Sequence, residues 1–323
     1  MSEVLLETRG LHVRFPARGG EVARAVDGVD LVVRRGQVLA LVGESGCGKT
    51  TLARTIMGLE RPAEGAIVHE GQPLRYDGGF LRAYRGKVQM VFQDPMGSLN
   101  PRQTVYEAVA EGLRIQKLPG DEATQVGDAL SRAGLRPPER FVHLYPYELS
   151  GGQRQRVVIA GAMVLSPSLL VADEPVSSLD ASVRGEILKL MLELVRDAGV
   201  TILVVTHDLG LAWNIADRVA VMYLGRIVEE GPAEELLSDP RHPYTRALLS
   251  VVPEVEEMEQ LILRGEAPDP TRIPAGCRFH PRCPLVASGE AARMGIEERC
   301  RGEDLALIEV APRHTAACHA VTS

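Results

Sequence analysis

The 323-residue sequence has few aromatics, no excess of positive charge and no long apolar run. Aromatic residues make up 4% of it, with a single Trp. Asp and Glu outnumber Lys and Arg 43 to 36, giving a net charge of −7. That argues against nucleic acid as the main partner, because neutralising phosphates needs a basic face. No apolar run approaches the ~20 residues that a membrane-spanning helix needs. The longest candidates, Val157 to Leu165 and Thr201 to Val205, are interrupted or short. Met1-Ser2-Glu3 opens the chain without the basic segment of a secretory signal, so a cytoplasmic protein is expected. Cysteine occurs five times, and four of the five follow residue 276. In a reducing compartment these read as free thiols or metal ligands rather than disulfides.

What is present is ordinary globular material, 45% hydrophobic and 24% charged, long enough for two domains. One stretch organises it. Gly43-Glu-Ser-Gly-Cys-Gly-Lys-Thr50 fits the phosphate-binding loop pattern G-x-x-x-x-G-K-[ST]. Its glycines let successive backbone N–H groups converge on a polyphosphate, Lys49 reaches the β- and γ-phosphates, and the Thr50 hydroxyl can bind Mg²⁺. The apolar run Gln37 to Val42 leads into the loop as a buried strand would. Thr51 to Met57 follows with a helical pattern, so the loop opens a helix whose N-terminus favours anions.

Residues 4 to 35 alternate apolar and polar between glycine breaks, which predicts an antiparallel β-subdomain. Val88 to Phe92 reads as a strand, Thr104 to Gly134 as helical, and Ser150 to Leu165 as an amphipathic helix stopped by Ser166-Pro167. Leu169 to Ala172 and Thr201 to Val205 read as buried strands, separated by a helix that buries Val183, Ile187, Leu190, Met191 and Leu194 and closes at Ala198-Gly199. Strands alternating with helices predict an α/β fold with a parallel sheet, whose ligands bind just past strand C-termini. Arg218 to Val228 reads as a closing hairpin turning at Gly225. From about Pro232 prolines recur and periodicity fades, which predicts a separate C-terminal extension.

Asp173 follows four apolar residues, the pattern of an acid that holds Mg²⁺ directly or through water, and Glu174 is placed to orient an attacking water. Leu149-Ser-Gly-Gly-Gln153 then resembles the signature of ABC (ATP-binding cassette) ATPases. The order along the chain is that family's: phosphate loop, Gln93 loop, signature, second acidic motif, His207. A Ser-Gly-Gly at a helix start exposes N–H groups suited to a γ-phosphate. The resemblance implies an ABC-type P-loop NTPase over residues 1–240: a RecA-like parallel core, an antiparallel β-subdomain, and a helical subdomain at about 95–165. It implies ATP and Mg²⁺ as cofactors. Ser150, Gly151, Gly152 and Gln153 would close over a nucleotide bound by the Gly43, Ser45, Gly46, Cys47, Gly48, Lys49, Thr50 and Thr51 of another subunit. Cys47 is assigned no chemistry of its own. By the same resemblance Gln93 contacts Mg²⁺ and the water, Glu174 and His207 act on the γ-phosphate, and Asp180 ends the Ser177-Ser-Leu-Asp180 loop linking the two sites. Magnesium falls to Thr50, Gln93 and Asp173. Phe15 is the candidate aromatic for stacking on adenine, with a core position as the alternative.

A narrower resemblance reaches the end of the chain. Phe92-Gln-Asp-Pro-Met-Gly-Ser-Leu-Asn-Pro101, Tyr145-Pro-Tyr-Glu-Leu-Ser-Gly-Gly152 and His242-Pro-Tyr-Thr-Arg-Ala-Leu-Leu249 are similar to the ATPases of oligopeptide/dipeptide importers, a family that also covers nickel and other small solutes. It implies a C-terminal domain over 241–323. Cys277, Cys283, Cys300 and Cys318 lie there, spaced C-x5-C and then separated by sixteen and by seventeen intervening residues. Four thiols in a Pro-rich segment suggest a metal site with four cysteine ligands. The resemblance implies a [4Fe–4S] cluster. Zinc is the alternative, although its usual short C-x₂₋₄-C knuckle is missing. His280, His314 and His319 are possible substitutes for a cysteine. The implied partners are a second ABC ATPase (a paralogue or a second copy), two transmembrane permease subunits and, indirectly, an extracytoplasmic solute-binding protein. The implied place is the cytoplasmic face of the cell membrane. Nickel or small-solute import, or a soluble ABC ATPase outside transport, are the alternative functions.

Overall fold

The computed structural model describes residues 3–252, 261, 263, 265 and 268–321; Met1 and Ser2 lie outside them. Along the chain the strands are β1 (Val4–Pro16), β2 (Val22–Arg34), β3 (Val38–Val42), β4 (Glu64–His69), β5 (Gln72–Pro73), β6 (Val88–Val91), β7 (Leu169–Asp173), β8 (Thr201–Thr206), β9 (Arg218–Tyr223), β10 (Arg226–Pro232), β11 (Ile308–Ala311) and β12 (His314–Ala316). The chain divides into two compact units. The first holds Met1–Leu5, Val33–Val38 and Gln72–Val204; the second holds Leu6–Val32, Leu39–Gly71 and Val205–Ser323.

In the first unit the strands lie in the order β8-β7-β6. β6 and β7 are parallel, with Val88 opposite Leu169 and Val91 opposite Ala172. Every residue of β7 is buried, so its apolar run is continuous rather than alternating, as a strand covered on both faces requires. The stretch expected to be helical from Thr104 to Gly134 is two helices, Val105–Gln116 and Glu122–Arg132. Lys117 takes a left-handed conformation at the break and Pro119-Gly120 follows it. Each helix opens on its own cap. Thr104 and Glu107 form a reciprocal capping box, and the Asp121 carboxylate accepts the Thr124 N–H. Both helices pack against the helix Gly151–Met163; they bury Val109 and Leu113, and Val126 and Leu130, and it buries Val157, Ile159 and Ala160. The helix Ala181–Ala198 buries Ile187, Leu190, Met191 and Leu194 and ends on left-handed Gly199, as its periodicity predicts. Val183 is only half-buried.

In the second unit β1 lies between β2 and β4 and runs antiparallel to β4, with Leu6 opposite His69. β3 is parallel to β9, Leu39 facing Arg218 and Val42 facing Val221. β9 and β10 form the expected hairpin. Its two-residue turn is Leu224-Gly225, both at positive φ, the conformation that matches the twist of the flanking strands.

The region after residue 241 is more regular than its fading periodicity predicts. β12 pairs antiparallel with β10, and β11 with β12, so the hairpin covers an edge that would otherwise present unpaired backbone groups. A buried carboxylate fixes this arrangement. Glu229 is fully buried on β10 and accepts the N–H groups of Arg241 (2.6 Å) and His242 (3.0 Å) and the Nε2–H of His314 (2.8 Å). Burial raises its pKa, but these hydrogen bonds outweigh burial and hold the carboxyl below the usual glutamate range. Tyr223, Tyr244 and Phe279 meet edge-on or tilted, with ring centroids 4.7 to 5.4 Å apart, in a core that also contains Ala40, Val42 and Leu249.

Candidate nucleotide site and the cysteine cavity

The phosphate loop belongs to the second unit. β3 ends at Val42, and the helix Lys49–Ile56 starts with Gly48 as N-cap. No side chain caps that helix, so its first N–H groups stay available to an anion. Gly48 has φ +110°, and a Cβ there would lie 2.0 Å from the Ala25 carbonyl oxygen, so only glycine fits. Lys49 is buried and folds back, donating from Nζ to the carbonyls of Gly43 (2.7 Å) and Glu44 (2.9 Å). Cys47 is buried, which pushes its thiol pKa up and leaves it a packing residue. The Thr51 carbonyl accepts the Thr55 hydroxyl within the helix.

Phe15 sits near the end of β1 with 37% of its surface exposed, so it is not a core residue. His207 is exposed directly after β8. Beyond it, the Thr206 hydroxyl accepts the Asp208 N–H and Asp208 caps the next helix through the Leu211 N–H.

In the first unit, Gln93 is exposed in the turn between β6 and the short helix Pro95–Ser98. Ser150 is the N-cap of Gly151–Met163. Its hydroxyl accepts the Gln153 N–H (3.3 Å), and the Gln153 side chain accepts the Ser150 N–H (2.9 Å). Gly152 lies against the helix Ala181–Ala198; a Cβ there would come within 2.6 Å of Val183 Cγ1. Asp173 is buried at the C-terminal end of β7. Glu174 follows at φ +49°, a conformation that costs a non-glycine residue energy and tends to mark functional turns. The Ser177 N–H and hydroxyl donate to the Glu174 carbonyl and hold that turn. Asp180 is exposed and precedes the helix Ala181–Ala198 as its N-cap, without a side-chain capping bond.

Cys277, Cys283, Cys300 and Cys318 line one small cavity, about 20 Å³, with Phe279, His280 and His319 on its wall. Burial raises all four thiols, Cys277 to about 12 and Cys318 to about 11, and each of those two is raised further by neighbouring cysteines. Burial on its own therefore favours the neutral thiols over the thiolates that ligate a metal. Among the described residues, no group of three or more His, Cys, Asp or Glu side chains is arranged to hold a metal ion. His314 is buried with its Nε2 on Glu229, and it is not among the residues that line the cavity.

One part of the loop has contacts that local patterns do not announce. The Glu44 N–H donates to the Tyr244 hydroxyl (2.8 Å), and its carboxylate takes a two-pronged contact from Arg282 (2.6 and 2.9 Å).

Residues 26–177 match the family model described as "ABC transporter", and residues 228–289 match "Oligopeptide/dipeptide transporter, C-terminal region". The oligopeptide transport ATP-binding protein AppF of Bacillus subtilis is 41% identical over 98% of this chain and 97% of its own length. The chain belongs to the ABC transporter ATP-binding family. The dipeptide transport ATP-binding protein DppF of Haemophilus influenzae is 43% identical over 86% of this chain and 88% of its own. Among solved structures, cbiO1 from Clostridium perfringens, part of an ABC transporter complex, has a TM-score of 0.67 at 32% identity, covering 74% of this chain and 92% of that one. The dimeric structure of a bacterial ABC transporter cassette gives 0.64 at 29% identity, covering 71% and 99%. The ABC fold, ATP with Mg²⁺, and ATPase activity follow from that membership.

Sequence patterns do not announce the contact between Glu44, which occupies a variable loop position, and Arg282, which is 238 residues away from it. Tyr244 lies within the quoted His-Pro-Tyr segment, but nothing local connects its hydroxyl to the phosphate loop.

Proposed function

We propose that the chain is the ATP-hydrolysing subunit of an importer for oligopeptides or dipeptides, working peripherally at the cytoplasmic face of the membrane. No helix among the described residues is long and apolar enough to cross a membrane, so translocation needs separate permease subunits. The observation that carries the reading is the joint match of cassette and C-terminal region to peptide-transport relatives along nearly the whole chain.

In this reading Lys49 and the first N–H groups of its helix hold the β- and γ-phosphates, with Thr50, Gln93 and Asp173 on Mg²⁺. Glu174 orients the water, and His207 meets the γ-phosphate. Phe15 stacks on adenine. Ser150 to Gln153 serve the nucleotide of a second ATPase, a paralogue or another copy, and Asp180 links the two sites. Catalysis then rests on positioning and charge stabilisation, not on a covalent intermediate. Cassette and C-terminal region would divide near residue 240. A solute-binding protein outside the membrane would select the cargo.

Cys277, Cys283, Cys300 and Cys318 would hold a [4Fe–4S] cluster, with zinc as the alternative. When bound, such a group would supply covalent cross-links to a region whose own small core is built from Ala291, Ile296 and Cys300.

Copurification with permease subunits and ATP-dependent peptide uptake in their presence test the import reading. Uptake of nickel or another small solute instead, or isolation of a soluble complex with no membrane subunit, would refute it. Anaerobic purification followed by iron and sulfide analysis tests the cluster, which an iron-free protein would exclude.

A further inference from the structure

We infer that Arg282 and Tyr244 are positioning residues of the ATP site, through which the C-terminal region sets the conformation and charge of the phosphate loop. The inference rests on the ATPase reading and adds a cis contribution from outside the cassette motifs.

All three polar groups of Glu44 are held. Its N–H goes to Tyr244, its carbonyl accepts from Lys49 Nζ, and its carboxylate is gripped by Arg282. Both distant partners are themselves fixed. Tyr244 is fully buried against Tyr223 and Phe279. The Arg282 side chain is 7% exposed and that of Glu44 28%, so solvent screens the pair only in part. The Tyr223 hydroxyl lies within electrostatic reach of the guanidinium but outside hydrogen-bonding geometry. Arg282 is rooted in the turn His280–Arg282, immediately before Cys283.

The electrostatic consequence is specific. Glu44 places a carboxylate in a loop built to receive a polyphosphate, where like charges repel. The guanidinium neutralises it in a planar two-bond contact that Lys cannot reproduce. Meanwhile the Tyr244 contact satisfies the Glu44 N–H, so the loop keeps its shape while Lys49 exchanges backbone carbonyls for phosphate oxygens.

The test is nucleotide affinity of the full-length chain, read with a fluorescent ATP analogue and Mg²⁺. Arg282→Gln leaves the carboxylate unneutralised and should raise Kd about tenfold. Adding Glu44→Gln removes the stranded charge and should return Kd to within about threefold of wild type. Arg282→Lys keeps the charge but loses the fork, and should fall between the two. In steady state KM should follow Kd while kcat stays within about twofold. An unchanged Kd in Arg282→Gln overturns the inference. So does a double variant as weak as the single one, which would mean that Arg282 acts only through folding. If the wild-type chain binds no nucleotide, the ATPase reading itself fails, and that result is distinct from either.

Discussion

The two helix N-termini proposed for nucleotide binding are built in opposite ways. The signature end is self-contained: Ser150 and Gln153, three residues apart, cap one another and fix the first turn of Gly151–Met163. The phosphate-loop end has no side-chain cap, and its shape depends on groups 200 and 238 residues further along. The first can be read from a pentapeptide. The second needs the fold, because loop closure over that length leaves no local pattern. The difference also separates what each end can be tuned by: the signature by its own residues, the phosphate loop by anything that moves the C-terminal region.

The largest effect should come from a residue belonging to neither end. Glu174→Gln should keep ATP binding and lower hydrolysis by about 10²–10⁴-fold, the usual scale for a positioned acid–base group. Near-normal turnover would remove Glu174 from the chemistry. The left-handed backbone at Glu174 gives this prediction structural support, since such a conformation persists only where its surroundings impose it.

Next comes the anchor on the C-terminal side. His242 is buried, and that lowers its imidazole pKa to about 4. Its Nδ1 accepts the Tyr244 N–H, which requires the neutral ring. The folded pKa lies below the unfolded value near 6.5, so between these values the unfolded chain binds more protons. The stability contribution is complete above about pH 6.5 and is lost as pH falls to about 4, by roughly 3 kcal/mol. His242→Asn keeps a capping acceptor and should flatten the melting temperature across that window. An equally steep acid loss in this variant would place the titration elsewhere.

The smallest effect is on the signature side. Ser150→Ala removes one end of the capping box on an exposed helix start and should cost about 1 kcal/mol of stability. Replacing the Gln153 side chain removes the other bond, to the backbone N–H of residue 150, which Ser150→Ala leaves in place, so the two losses should add. A double variant that loses little more than either single one in thermal denaturation would contradict that independence.

These contrasts explain how much could be read in advance. The phosphate loop, the signature, Asp173-Glu174 and the strands carrying them are legible because each is a short segment with its own periodicity and punctuation. The break between the two helices after Thr104 is written in Pro119-Gly120 and the Asp121 cap, a local signal that a single helical reading of residues 104–134 overrides. The strands β11 and β12 are missed for another reason. They are four and three residues long, and pairing with β10 stabilises them rather than any pattern of their own. Candidate ligands divide in the same way. Four cysteines can be seen in sequence and do share a cavity, but the engagement of His314 by Glu229 depends on that same pairing.

The most direct test is to compare nucleotide affinity of the isolated full-length chain in Arg282→Gln and Ser150→Ala. The distant group should matter, raising Kd about tenfold, and the signature serine should not, because in the proposed dimer it would serve the nucleotide of another subunit. An unchanged Kd in Arg282→Gln, or a Ser150→Ala chain that loses as much affinity, would contradict the account.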